Sequence, residues 1–158
     1  MKISRRKFFT RAIQTATVVA IPTVFGSFLE SCKNTLIGPT GSQVLQSISG
    51  SYSGGNVTVN IDSSSPLAKT GSAAVVTFQG NSILIDHPSA NVFNALSSIC
   101  THQSCQITGY DSGSNEFICP CHGSMFDVNG KVTQGPANAP LTKYQTQISG
   151  SQLIVKVS

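Results

Sequence analysis

The sequence predicts an all-β domain of antiparallel sheets, and three observations carry that expectation. Val57, Val59 and Ile61 alternate with Thr58 and Asn60, the period-two pattern of a half-buried strand. Short β-branched runs flank Gly80-Asn81 and Asn129-Gly130, pairs that suit tight hairpin turns. The chain of 158 residues holds 14 Gly and no Trp, and only 10% of it is charged, a composition of short strands and many turns. No convincing helix is expected beyond the N-terminal segment, no internal repeat is visible, and the length fits one domain with a core of ordinary size.

Residues 1–31 read as an export signal. A basic start is followed by an apolar stretch from Ala12 to Leu29, interrupted by Gln14, Pro22 and Gly26. Ser4-Arg5-Arg6-Lys7-Phe8-Phe9 resembles the twin-arginine signal of bacterial export. The formal charge of +4 belongs to this segment, because the five Lys and five acidic residues of 32–158 balance. The neutral body has no basic stripe, which argues against a nucleic-acid partner.

Leu29-Glu30-Ser31-Cys32-Lys33 resembles a bacterial lipoprotein cleavage site, although Glu30 stands where a small residue is usual. Cys32 is the odd one of five cysteines, and lipidation would account for it. The competing reading is an uncleaved membrane anchor. Ala12–Leu29 is near the lower length limit for a span and is weakened by its polar residues. Either way the domain is expected at the membrane, on the periplasmic or outer side. Residues 32–52, rich in Ser, Gly, Thr and Asn, read as a flexible tether ahead of a domain over 53–158.

Within the domain, Ser63–Gly71 is expected as a loop, and Ala73–Gln79 and Ser82–Asp86 as strands. His87-Pro88-Ser89 reads as a turn capped by His87, which is not expected to be a ligand. Val92–Ile99 is a strand leading to Cys100, and Thr108–Asn115 is a turn rich in Gly, Ser and Asp. Glu116–Ile118, Met125–Val128 and Lys131–Thr133 are short strands. Gly135-Pro136-Ala137-Asn138-Ala139-Pro140 is a stiff apolar loop. Tyr144–Ile148 and Gln152–Val157 pair across Ser149-Gly150-Ser151.

The chemistry lies in two boxes, Cys100-Thr101-His102-Gln103-Ser104-Cys105 and Cys119-Pro120-Cys121-His122-Gly123-Ser124. They hold four of the five cysteines and two of the three histidines. An iron–sulfur cluster with two Cys on one iron and two His on the other needs this inventory. Cys100 and His102 are two apart, so an extended chain points both to one side. Cys119 and His122 are three apart, within reach of a turn. A structural zinc site would use the same residue types, but Cys-x-His and Cys-x-x-His fit its usual spacings poorly. A two-disulfide domain with incidental histidines is the other competing use.

Cys-Thr-His-x-x-Cys followed by Cys-Pro-Cys-His-Gly-Ser resembles the Rieske iron–sulfur proteins, in particular those of quinol-oxidising cytochrome bc complexes. The resemblance implies an all-β Rieske fold with an inserted cluster-binding subdomain, about residues 96–141. It implies a 2Fe–2S cluster ligated by Cys100, His102, Cys119 and His122, with a Cys105–Cys121 disulfide clamping the loops. Rieske ferredoxins and ring-hydroxylating oxygenases lack that extra pair. Gly123 belongs to the second box, Ser124 matches a serine that bonds a bridging sulfide, and Pro136 lies in the loop that covers the cluster. Phe126 stands where high-potential members carry a Tyr, which implies a lower potential suited to a donor such as menaquinol. Gln103-Ser104 replaces the usual Leu-Gly, part of the apolar tip that docks on cytochrome b.

The function implied is electron transfer, with this chain a component of an oxidoreductase rather than a stand-alone catalyst. No hydrolytic constellation appears. In a quinol–cytochrome c type complex, His102 or His122 would contact quinol and the redox partners would be a cytochrome b or c. The alternative is a lipid-tethered carrier, or the small subunit of another exported redox enzyme of arsenite oxidase type, without quinol chemistry. Twin-arginine export of a folded protein suits a cofactor inserted in the cytoplasm.

Overall fold

The computed structural model describes residues 42–158. The signal segment 1–31, Cys32 and the tether as far as residue 41 lie outside the described residues. In chain order the strands are β1 Ser42–Val44, β2 Gln46–Ser49, β3 Ser51–Ser53, β4 Asn56–Asn60, β5 Ser72–Phe78, β6 Asn81–Ser89 and β7 Val92–Ser97. They continue with β8 Gly109–Asp111, β9 Glu116–Ile118, β10 Met125–Asp127, β11 Val132–Gln134, β12 Lys143–Ser149 and β13 Gln152–Lys156. A single 3-10 turn, Pro66–Ala68, interrupts the Ser63–Gly71 loop; Ser65 caps it and Leu67 is its buried residue.

Eight strands form one sheet in the order β2-β5-β6-β7-β12-β13-β4-β3, and five form a smaller one, β1-β8-β9-β10-β11. All pairings are antiparallel except β2 on β5, which is parallel. The two edges of the large sheet, β2 and β3, are consecutive in the chain with only Gly50 between them. A Cβ on Gly50 would come within 2.6 Å of Val57 and 2.8 Å of Val76, on strands near opposite edges. The sheet therefore curls back on itself there, which a side chain would prevent.

That curl encloses one core of Val57, Val59, Leu67, Ala74, Val76, Ile83, Ile85, Phe93, Ala95, Leu153 and Val155. The other face of β5, β6 and β7 gives Val75, Leu84 and Leu96 to a second core, shared with the small sheet through Tyr110, Phe117 and Phe126. Strands buried on both faces read as continuous apolar runs, which is why Ala73-Ala74-Val75-Val76 and Ile83-Leu84-Ile85 do not alternate. β8 to β11 fall in sequence between β7 and β12, which are neighbours in the large sheet.

The structure departs from the expected elements in several places. Residues 42–52, expected as the end of a tether, form β1, β2 and most of β3. β1 pairs with β8, bringing Ser42 opposite Asp111, and Leu45 N–H donates to the Thr108 carbonyl at 2.8 Å. Low hydrophobicity hid these strands, since their stability comes from backbone pairing to sheets made elsewhere. β6 runs on through His87-Pro88-Ser89, and the turn falls at Ala90-Asn91. His87 is buried: its Nδ1 lies 2.9 Å from the Leu67 carbonyl, and its ring stacks on Phe93. It thus ties the 3-10 turn to β6. β8 begins inside the expected Thr108–Asn115 turn. The β10–β11 link is longer than a two-residue hairpin, because the Asp127 carboxylate accepts from Asn129 and Lys131 N–H and widens it.

One buried carboxyl sits between the sheets. Asp86 accepts from Asn94 Nδ2 at 3.2 Å, and its Oδ1 has no partner. Desolvation raises its pKa from the ordinary 3.8 to about 7, against the smaller opposing effects of Asn94 and Lys143. Burial, then the nearby Asp86 and Asp111 charges, push the Tyr110 hydroxyl up to about 12.

Candidate metal centre

The two boxes fold into two loops closed by the same backbone pattern. In the first, Cys100 N–H donates to Cys105 O at 2.8 Å and Ser104 N–H to Cys100 O at 2.9 Å. In the second, Cys119 N–H donates to Ser124 O at 2.9 Å and Gly123 N–H to Cys119 O at 3.0 Å. The fifth residue of each loop takes positive φ, 56° at Ser104 and 73° at Gly123. β7 and the Ile99–Gln106 bridge carry the first loop, and β9 and β10 carry the second.

Cys100 and Cys119, at the start of each loop, are free thiols with 2% and 1% exposure. Burial pushes the Cys119 thiol up, and Cys100 beside it adds to this; backbone N–H groups of Cys121 and His122 act the other way. His102 is half-buried and His122 exposed. Their rings meet edge to face, with centroids 4.8 Å apart. His102 Nδ1 is buried and has no hydrogen-bond partner. Cys105 and Cys121 are joined by a disulfide, with Cα atoms 6.5 Å apart. The sulfurs of Cys105, Cys119 and Cys121 all lie within 4.8 Å of one another. Two of those three are bonded to each other, so Cys119 is the thiol of that group open to a metal.

This donor set fits a 2Fe–2S cluster. The two free thiols, 19 residues apart in sequence, lie in one buried core, and the two imidazoles, 20 residues apart, meet ring to ring, with one thiol and one imidazole per loop and a buried His102 nitrogen left without a partner. A buried polar nitrogen without a partner costs free energy that a metal–ligand bond relieves.

A third segment closes the site. Residues 135–140 run as a strap across both loops, after a cis Gly135–Pro136 bond. Ala137 N–H donates to Ser124 Oγ at 3.0 Å, Thr101 Oγ1 donates to Ala139 O at 2.6 Å, and Gln134 Nε2 donates to Gly123 O at 2.9 Å. Ser124 is fully buried, Phe126 is fully buried in the core that includes Cys100 and Cys119, and Pro136 is exposed. Gln103 and Ser104 are exposed beside the disulfide. Sequence reasoning missed Thr101 and Gln134. The available signal was their position, one between two box residues and the other next to the Gly-Pro that turns the strap. No helix among the described residues is long and apolar enough to cross a membrane.

Comparison with known proteins agrees with this geometry. Residues 58–145 match the Rieske [2Fe-2S] domain. The cytochrome b6-f complex iron-sulfur subunit of Prochlorococcus marinus (strain AS9601) is 49% identical over 61 residues, 39% of this chain and 34% of that protein. The subunit of the same name from Parasynechococcus marenigrum (strain WH8102) is 36% identical over 73 residues, 46% of this chain and 40% of that protein. The chain thus aligns with well under half the length of these relatives. The plasma membrane Rieske protein PetC3 from Synechocystis PCC 6803 superposes with a TM-score of 0.51 at 33% identity, covering 62% of this chain and 98% of that one. A chain from the oxygenase–ferredoxin complex of carbazole 1,9a-dioxygenase superposes with a TM-score of 0.52 at 21% identity, covering 62% of this chain and 98% of that one, a likeness of fold alone. With the domain matched over more than half of its length, this chain belongs to the Rieske [2Fe-2S] family: an electron-transfer domain that binds a 2Fe–2S cluster and is homologous to the iron–sulfur subunit of cytochrome b6-f complexes.

Proposed function

We propose that Cys100, His102, Cys119 and His122 ligate the cluster, and that the chain serves as the iron–sulfur subunit of a membrane quinol–cytochrome c type oxidoreductase. The observation that carries the reading is His102 Nδ1, buried, unpartnered and set against the ring of His122. When bound, the cluster supplies a one-electron couple, more easily reduced than an all-Cys centre because two neutral imidazoles replace two thiolates. The chain's own residues supply the rest. Cys100 and Cys119 are buried in one core, one at the start of each loop, and would hold the metal as thiolates. Ser124 takes the Ala137 N–H on its oxygen and keeps its own O–H to donate toward the cluster sulfur. His122, the exposed ring, offers its outer nitrogen to a quinol hydroxyl and accepts the proton that accompanies the electron.

The partners in this reading are a cytochrome b, a cytochrome c and a quinol. Residues 1–31 direct twin-arginine export. A lipid on Cys32 or the apolar run Ala12–Leu29 holds the domain at the outer side of the membrane, in line with the plasma-membrane location given for PetC3. A lipid-tethered carrier without quinol chemistry, or the small subunit of an arsenite oxidase-like enzyme, is the second reading. Exposed, polar Gln103 and Ser104 favour it, since they stand where quinol-oxidising members carry an apolar tip.

The test is a low-temperature electron paramagnetic resonance spectrum of dithionite-reduced protein exported from a twin-arginine-competent host. A rhombic signal with average g well below that of an all-Cys cluster is expected. A silent spectrum with stoichiometric zinc overturns the ligand assignment. Co-purification with a cytochrome b, together with reduction of the cluster by a menaquinol analogue, selects the first reading; isolation as a lone soluble carrier after lipase treatment selects the second.

A further inference from the structure

We propose that a groove on the flank of the large sheet docks an extended, acidic segment of a protein partner. An apolar side chain of that segment sits against Tyr52, Phe78 and Ile99, and its carboxylates meet Lys143 and Lys156. The groove has a volume of about 510 Å³ and runs from the β5–β6 hairpin to the foot of the first loop. Its aromatic wall is the stacked pair of Tyr52 and Phe78, with ring centroids 5.7 Å apart. Tyr52 belongs to β3 and Phe78 to β5, near opposite edges of the sheet, so the curl at Gly50 brings the two rings together. At the other end Ile99 is 44% exposed and bridges to Gln106, which closes the first loop. Four large apolar side chains are exposed among the described residues, and Tyr52 and Ile99 are two of them. Exposed apolar groups scattered singly are ordinary; gathered along one concavity they make a binding surface.

The rest of the lining describes the occupant. The turn that rims the groove is tight, with φ 44° at Gln79 and 79° at Gly80. A Gln side chain in the left-handed region is strained where Gly is not, and such strain gathers at ligand-contacting sites. The exposed amides of Gln79, Asn81 and Gln106 line the groove and offer the donors and acceptors that a peptide backbone needs. None of the five acidic residues of 42–158 lines it. Two of the four lysines of that stretch, Lys143 and Lys156, line a shallow depression that shares Tyr144, Val157 and Ser158 with the groove. Gln145 lies opposite Lys156 and two residues from Lys143, so both lysines rise from one face of the sheet. Both are exposed, and Lys143 Nζ donates to a neutral partner, Asn129 Oδ1, at 2.9 Å. Carboxylates flanking an apolar anchor complement this surface; basic groups oppose it. No residue of either cysteine–histidine box lines the groove, so the inference stands apart from the assignment of cluster ligands.

The test titrates the full-length exported holoprotein into a fluorescein-labelled peptide that alternates Glu with Leu and Phe. Fluorescence anisotropy at low salt reports binding, and unfolding temperatures are measured alongside. Saturable one-to-one binding is expected. Tyr52→Ser, Lys156→Glu and added salt each weaken it about threefold or more, and Lys69→Glu, at a lysine that lines neither hollow, leaves it unchanged. Lys156 is exposed, so its variant keeps the fold and carries the test even where Tyr52→Ser unfolds. No saturation up to about 1 mM peptide overturns the proposal. Equal affinity for the same peptide with Lys in place of Glu overturns it too, as does equal weakening by Lys69→Glu and Lys156→Glu, which reports only general charge attraction. Binding to phosphatidylglycerol vesicles that these variants abolish assigns the surface to a membrane. Self-association in sedimentation that Tyr52→Ser abolishes assigns it to a second copy. Either result overturns the acidic-segment reading.

Discussion

Phe126 is fully buried, in the same core as the free thiols Cys100 and Cys119, and its ring has no polar atom to offer them. A hydrogen bond to a ligand sulfur stabilises the more negative, reduced state and so raises the potential. Phe126→Tyr is expected to raise the midpoint potential. A bond worth ~1.4 kcal/mol corresponds to about 60 mV in a one-electron couple. Spectroelectrochemical titration of the two proteins decides it, and an unchanged potential means that the new hydroxyl reaches no ligand sulfur. Ser124 shows the complementary case of a residue whose role the sequence motif suggested but whose partner it did not. Its oxygen is engaged by Ala137, so it joins the second loop to the strap as well as facing the site.

At the scale of elements, the two loops are one design built twice, and they differ at the residue in the left-handed region. Gly123 meets that requirement freely; Ser104, at φ 56°, carries a Cβ that crowds the following carbonyl. Nothing in the structure offsets this with a side-chain hydrogen bond from Ser104 among the described contacts. Ser104→Gly is expected to stabilise the protein by roughly 0.5–1 kcal/mol, the relief of strain exceeding the added entropy of the unfolded glycine. Thermal unfolding of both proteins in the oxidised, cluster-loaded form measures it; a lower unfolding temperature in the variant would show that the turn is relaxed with serine. The same scale explains β1. Three residues with little hydrophobicity become a strand because β8 presents an open edge to them, so the tether is fixed to the cluster subdomain before it reaches the large sheet.

Across the whole molecule, β5, β6 and β7 separate two cores, and Asp86 lies on the face toward the small sheet. Asn94 of β7, Lys143 of β12 and Tyr110 of β8 are the polar groups that act on it or feel it. Its carboxyl holds a proton up to about pH 7 when folded, against an ordinary value of 3.8. Between those values the folded state binds more protons than the unfolded state, so stability falls as pH rises. The contribution is fully present below 3.8 and is lost as pH passes through about 7. Asp86→Asn keeps an acceptor for Asn94 and cannot ionise. It is expected to flatten this dependence and to leave the variant more stable than wild type at pH 8, by on the order of 2 kcal/mol. Urea unfolding at pH 5 and pH 8 measures both; parallel pH dependence in the two proteins would place the proton elsewhere.

The sequence by itself determined the all-β class, the inventory of the two boxes and the strands whose side chains alternate or run apolar. These are local properties: residue period, turn chemistry and the metal-binding types at fixed spacing. β4, β5 and the closing β12–β13 hairpin lie close to where the alternation and turn signals put them. Tertiary structure alone decided the rest. β1 to β3 and β8 are strands only because another strand's edge is within reach. His87 and Asp86 are buried only because the sheet they sit on is covered on both faces. The strap segment holds both loops through Thr101, Ser124 and Gln134, in contacts between residues 11 to 38 positions apart that no local pattern encodes. Spacing can nominate residues for a metal, but the orientation of a ring or a carbonyl depends on what packs against it from elsewhere in the chain.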